Sequence, residues 1–162
     1  MAVWSGSRTA LHLKVPPEVK VNPNGVDVRV SEVWLIRQDA ISVLNGKTRV
    51  TVPEKEKILP DADGFYDLQQ GTYEVRIANE ISVPLNAVGK LYPRSSLNRL
   101  GSIKSDTALW DSGYVGFGTQ TIFVPIKLFR IHKDEYWFQF VLEDCEPTER
   151  GYDGFWQKEK PV

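Results

Sequence analysis

Short alternations of apolar and polar residues, broken by turn clusters, run along most of this chain, and helical spacing is scarce. Residues 10–15 alternate as ALHLKV. Residues 26–36 read VDVRVSEVWLI, with Val26, Val28 and Val30 on one parity before the pattern slips. Further stretches at 49–52, 73–78, 81–84, 87–92, 120–128 and 136–143 carry the β-branched and aromatic residues that suit a pleated, half-buried surface. Between them lie the turn clusters Asn22-Pro23-Asn24-Gly25, Asn45-Gly46-Lys47, Pro60-Asp61-Ala62-Asp63-Gly64 and Gln70-Gly71. Strands punctuated in this way predict an all-β sandwich, jelly roll or barrel. One short helix is expected at residues 95–100, with Gly101 placed to end it. With no repeat and no low-complexity linker, the reading is a single domain over residues 1–147 and a polar tail over 148–162.

Composition narrows this picture. A length of 162 residues suits one core rather than two. Twenty Lys and Arg against 21 Asp and Glu leave a net charge of −1, so there is no global electrostatic reason to bind nucleic acid or a membrane surface. The single cysteine, Cys145, excludes an intramolecular disulfide framework. With His12 and His132 as the only histidines, a thiolate-rich or His-rich metal site is excluded too. The apolar runs fall short of the ~20 residues that span a bilayer, and the N-terminus lacks a signal pattern. The expectation is a soluble, cytoplasmic protein with no nucleic-acid or membrane partner, whose metal, if it uses one, is held by oxygens.

Four segments carry candidate chemistry. Residues 81–105 hold Lys90, Arg94, Arg99 and Lys104 and no acid. Within them, Arg94-Ser95-Ser96-Leu97-Asn98-Arg99 sets two guanidiniums and two hydroxyls around a helix start, the groups that hold phosphate oxygens. The same pattern also reads as a Ser-capped surface helix with solvated arginines. In Trp110-Asp111-Ser112-Gly113-Tyr114-Val115-Gly116, Asp111 is either a turn-capping residue or a carboxylate poised to deprotonate water. In Gly64-Phe65-Tyr66-Asp67-Leu68, Asp67 reads as a carboxylate near a hydrated Mg²⁺ or as a turn cap; the spacing of an EF-hand is missing. The tail brings Arg150, Tyr152, Phe155 and Trp156, which read either as a disordered end or as a segment that closes on a flat face.

Taken in order, these segments resemble one family, the trimeric dUTPase and dCTP deaminase superfamily. Phe65-Tyr66-Asp67-Leu68 is similar to its first motif, followed by Gly71-Thr72-Tyr73-Glu74-Val75. Arg94-Ser95-Ser96-Leu97-Asn98-Arg99-Leu100-Gly101 is similar to the second motif in its deaminase-like form, residues 110–116 to the third, and Phe138-Gln139-Phe140-Val141 to the fourth. Arg150-Gly151…Gly154-Phe155 resembles the dUTPase closing motif, and Tyr152…Gly154…Trp156-Gln157 the deaminase one. The resemblance implies a distorted jelly-roll homotrimer whose sites are shared between subunits. It implies that Arg94, Ser95, Ser96 and Arg99 hold a triphosphate, with Gln139 near the phosphates or the base. Asp111 would contact the 3′-OH and activate water, and Tyr114 would pack on the sugar. The tail would close over dUTP, with Phe155 or Trp156 on the base, Arg150 at the terminal phosphates, and Tyr152 and Gln157 in the same segment. Mg²⁺ is the implied cofactor, with Asp67 reaching it through water.

The reaction follows from one missing carboxylate. Deaminases of this superfamily use a Glu a few residues beyond the Gly-Tyr-x-Gly turn, and Thr121 stands there instead. Threonine does not shuttle protons as a carboxylate does, and the zinc-deaminase pattern is absent. The expectation is hydrolysis of dUTP to dUMP and pyrophosphate. The alternatives are dCTP deamination, alone or combined with hydrolysis, and a non-catalytic nucleotide-binding relative. Two departures from the family pattern stand out: Tyr136 replaces the Arg expected three residues before Gln139, and Phe117 replaces a Glu after the third motif.

Overall fold

The computed structural model describes residues 2–44, 50–104 and 109–158. The turn at Asn45-Gly46-Lys47 lies outside the described residues. The chain opens with a helix that the alternation did not predict, α1 (Gly6–Ala10). Ser5 caps it by accepting the Arg8 N–H at 3.3 Å. Residues 10–15 are correspondingly not a strand, and only a bridge from Leu13 to Ile81 survives. Their alternation does not define a buried face, because Leu13 is 6% exposed while Leu11 is 82% exposed.

The strands follow as β1 (Lys20–Asn22), β2 (Gly25–Val28), β3 (Val30–Ile36), β4 (Val43–Leu44), β5 (Val50–Thr51), β6 (Lys55–Ile58), β7 (Phe65–Ile77), β8 (Ile81–Ser82) and β9 (Ala87–Pro93). Helix α2 (Ser95–Arg99) precedes β10 (Ile103–Lys104), β11 (Val115–Gly116), β12 (Thr119–His132) and β13 (Phe138–Asp144). All named pairings are antiparallel. The main sheets run β1-β2-β13-β9 and β10-β12-β7-β3-β6. They close on one core that includes Val26, Val28, Leu68, Ile77, Ile122, Trp137, Phe138 and Phe140. This is the all-β jelly roll expected, with two short helices instead of one.

Three local features place the functional residues. The slip in residues 26–36 is a change of sheet: β2 and β3 lie in different sheets, and Arg29 sits at the crossing. Gln70-Gly71 is not a turn but part of β7, opposite a register shift in β12 between Val124 and Leu128. Pro125, which has no N–H to give a ladder, falls inside that shift. Gly101 ends α2 with φ +108°, a value that favours glycine.

The outward face of the larger sheet is unevenly finished. Glu32 and Arg76 form a buried pair at 2.9 Å, and Lys57 reaches the same carboxylate at 3.0 Å. Farther along, Leu100, Ile103, Phe123, Ile126 and Leu128 are all exposed, the last four on or beside paired strands β10 and β12.

Candidate active site

Residues 111–114 make a tight turn in which the Tyr114 N–H donates to the Asp111 carbonyl at 3.0 Å. Gly113 adopts φ +84°. The Asp111 carboxylate is exposed and has no hydrogen-bond or ion-pair partner among the described residues, so it does not cap its own turn. Beneath it, the Ser112 hydroxyl donates to the Ala87 carbonyl at 2.7 Å and touches Cys145 Sγ at 3.4 Å. Tyr114 is only 3% exposed, packed between Trp110 and Tyr152 with ring centroids 6.2 and 5.9 Å away. Its ring supports the turn and leaves little face for a sugar.

The tail lies across this turn in the same protomer. The Tyr152 N–H donates to the Ser112 carbonyl at 2.8 Å, and a Cβ on Gly113 would come 2.4 Å from Gly151 Cα. Gln157 is the fastening: its Nε2 donates to the Gly113 and Tyr152 carbonyls at 2.9 and 2.7 Å, and its Oε1 accepts the Val115 N–H at 2.8 Å. A glutamine so used holds protein backbone rather than a ligand. Phe155 and Trp156 meet edge to face at 4.7 Å and stay exposed. Asp111, Arg150 and Tyr152 line one cleft of about 560 Å³.

The arginine-rich segment builds a second cleft, of about 400 Å³, lined by Ser96, Leu97, Phe65, Arg130, His132 and Tyr136 among others. Ser95, Ser96 and Arg99 are exposed on α2, and Arg99 has no partner among the described residues. Arg94 is differently placed. Its Nε lies 3.1 Å from Asp27, whose side chain is 5% exposed, and its Nη1 donates to the Tyr136 carbonyl at 3.2 Å. Asp27 in turn accepts from Asn22 Nδ2 at 2.7 Å and faces Gln139 across the β2–β13 ladder. Gln139 donates to the Asn24 carbonyl at 3.3 Å. The second and fourth motifs therefore meet over a buried carboxylate that the sequence pattern hid inside a run of valines.

Asp67 stands opposite Arg130 in the β7–β12 ladder, 2.9 Å from its Nε, and Asp61 also pairs with that guanidinium. The Phe65 N–H, together with Arg130, holds the Asp61 carboxyl below the usual aspartate range. Contact with Asp61 raises Arg130 in turn. Among the described residues no three His, Cys, Asp or Glu side chains converge as a metal cage. Asp67, exposed and paired with Arg130, is a single carboxylate of the kind that would meet a hydrated Mg²⁺ through water rather than hold a bare ion.

The structure thus groups Asp111, Arg150 and Tyr152 in one cleft and sets Ser96 in another, and the two share no lining residue. Asp27, Arg29, Arg130 and His132 were missed from sequence. Only Asp27 left a signal: an acid between two valines, on the opposite face of β2 from Val26 and Val28, in a strand buried on both faces.

Comparison with known proteins shows the family. The chain is 32% identical over 160 residues to the probable deoxyuridine 5′-triphosphate nucleotidohydrolase of Halobacterium salinarum, covering 96% of this chain and 93% of that one. It is 30% identical over 151 residues to the like-named protein of Methanosarcina barkeri, covering 88% and 83%. In backbone it is similar to the crystal structure of 2′-deoxycytidine 5′-triphosphate deaminase from Agrobacterium tumefaciens. That likeness, a TM-score of 0.66 at 14% identity over 88% of this chain and 48% of that one, is one of fold alone. Residues 7–145 match the dCTP deaminase-like family, and the chain belongs to that family, within the dUTPase and dCTP deaminase superfamily.

Proposed function

We propose that this protein is a dUTP diphosphatase that hydrolyses dUTP to dUMP and pyrophosphate and does not deaminate dCTP. The observation that carries the reading is the pairing of a present and an absent carboxylate. Asp111 is exposed and unpartnered in a cleft it shares with Arg150. Thr121 stands in β12 where deamination would need a proton-shuttling Glu. Its cross-strand neighbour Glu74 does not replace that Glu, because Lys55 Nζ holds its carboxylate at 2.6 Å. The names of the curated relatives support the same substrate.

In this reading Asp111 accepts a proton from water as the water attacks phosphorus, and the bond to the leaving pyrophosphate breaks in line. Ser95, Ser96 and Arg99 hold the triphosphate, and Arg150 reaches it from the tail. Mg²⁺ bound to the phosphate oxygens would add charge neutralisation. Tyr114 and Gln157 position the turn and the tail, while Phe155 or Trp156 stacks on the base. Residues 148–162 then act as a lid on the domain formed by residues 1–147.

Because the two clefts share no lining residue, a second copy of the chain supplies the missing half of each site. We assign the assembly as a homotrimer, with the apolar strip from Leu100 to Leu128 covered on association. Light scattering should return about three times 18.4 kDa.

The test is incubation with each deoxynucleoside triphosphate and Mg²⁺, with pyrophosphate and ammonia measured separately. Pyrophosphate from dUTP without ammonia from dCTP is expected. Stoichiometric ammonia from dCTP would favour the deaminase reading, and nucleotide binding without turnover a silent relative.

A further inference from the structure

We propose that Arg29 binds substrate phosphate, supplying the guanidinium that the fourth motif lacks at Tyr136. The proposal rests on the dUTP reading above. It starts from the geometry at the crossing between β2 and β3. Arg29 Cζ lies 4.6 Å from the Tyr136 ring centroid, and its Nη2 donates to the Tyr136 hydroxyl at 3.4 Å. Its Nε donates to the Asp134 carbonyl at 2.8 Å. Neither partner is a carboxylate, and among the described residues Arg29 has no ion pair. A half-buried guanidinium clamped on an aromatic plate, with its charge unmatched, is prepared for a phosphate fork.

The neighbourhood sharpens the point. Arg94 flanks the same ring at 6.0 Å, but its charge is already answered by Asp27 at 3.1 Å, with Glu135 a further 3.9 Å contact. The Asp134 carboxylate is turned to His132, 3.6 Å from its Nδ1. Arg94 thus serves as a strut, and the guanidinium on the Tyr136 ring whose charge no carboxylate answers is Arg29; Tyr136 itself lines the cleft that holds Ser96. Tyr136 does not leave the motif empty: its ring and hydroxyl hold a guanidinium that comes from the crossing between β2 and β3.

The experiment measures binding of a non-hydrolysable dUTP analogue, inorganic tripolyphosphate and deoxyuridine to the full chain, with thermal midpoints for each variant. Arg29→Gln should weaken the analogue and tripolyphosphate by about 10- to 100-fold, as expected for a charge-assisted hydrogen bond, and leave deoxyuridine binding unchanged. Arg29→Lys should fall between, since it keeps the charge but loses the fork. Adding Tyr136→Arg to Arg29→Gln should restore triphosphate affinity. Unchanged triphosphate affinity in Arg29→Gln would overturn the proposal. So would an equal loss for deoxyuridine with a lowered midpoint, the mark of a structural clamp. Arg29-dependent tripolyphosphate binding in a chain that fails to hydrolyse dUTP would remove the substrate reading and leave the Arg29 site standing.

Discussion

The turn around Asp111 and the cleft beside α2 are built by opposite means. The turn is held by backbone: Gly113 packed on Gly151, and a strap fastened by the Gln157 amide to Gly113, Tyr152 and Val115. That scaffold needs no charge, so Asp111 remains unspent. The α2 cleft is held by side-chain charge, with Asp27 on Arg94 and with Asp61 and Asp67 on Arg130. Most of its charge is committed to structure, while Arg99 and Arg29 nearby have no ion pair among the described residues and are, in the proposed reading, the groups left for a ligand. A carboxylate that must accept a proton is best kept out of ion pairs, whereas a polyanion is best met by guanidiniums already fixed in place.

Each side of this contrast can be broken separately. Asp111→Asn should lower kcat by about 10²–10⁴-fold with little change in KM or thermal midpoint. A raised KM at unchanged kcat would make the turn a binding element and dissolve the contrast. Asp27→Asn strikes the other half. Removing the charge that holds Arg94 should cost about 1.5–3 kcal/mol in urea unfolding, and an unshifted midpoint would mean the pair is not structural. Gln157→Ala loosens the strap without touching the core. It should cost roughly 1 kcal/mol of tail docking, seen as faster tryptic cleavage at Arg150 and reduced turnover by a domain that melts unchanged. Cleavage at the wild-type rate would show that the strap is held elsewhere.

The smallest effect concerns acid. The Phe65 N–H, and then Arg130, hold the Asp61 carboxyl below its ordinary value. The stability it contributes is whole above the unfolded aspartate value near pH 4. That stability is lost as pH falls through the lower folded value. Between about pH 5 and pH 2 the wild-type chain should therefore lose stability more steeply than Asp61→Asn. Parallel acid limbs would mean that Asp61 is exposed enough for its pair to contribute nothing measurable.

How much of this was legible in the sequence depended on the reach of each interaction. The hairpin at Asn22-Pro23-Asn24-Gly25 was readable, because Gly25 takes φ +124° within the segment that signals it. So was α2, where Gly101 ends the helix it follows. The turn at Asp111 was readable too, but not whether its carboxylate capped the turn or stood free. Helix α1 was not legible, and the alternating ALHLKV that follows it reads as a strand, because what settles α1 is its packing against β1, β2 and β13 rather than its own sequence. Gln70-Gly71 looked like a turn because glycine marks turns and strand irregularities alike.

By itself, the sequence determined the all-β class, the turns at residues 22–25, 61–64 and 111–114, and the order of the motifs, since each depends on residues a few places apart. It also determined that Thr121 is no general base, because that is a property of one side chain. Only the tertiary structure decided which charges are spent. Arg29 and Asp134 are 105 positions apart, Arg94 and Tyr136 42, and Gln157 and Gly113 44. Whether a guanidinium is a strut or a ligand-binding group depends on which carboxylate or ring the fold brings beside it. Local composition carries no record of that distance, because antiparallel pairing joins strands whose separation along the chain is set by everything between them.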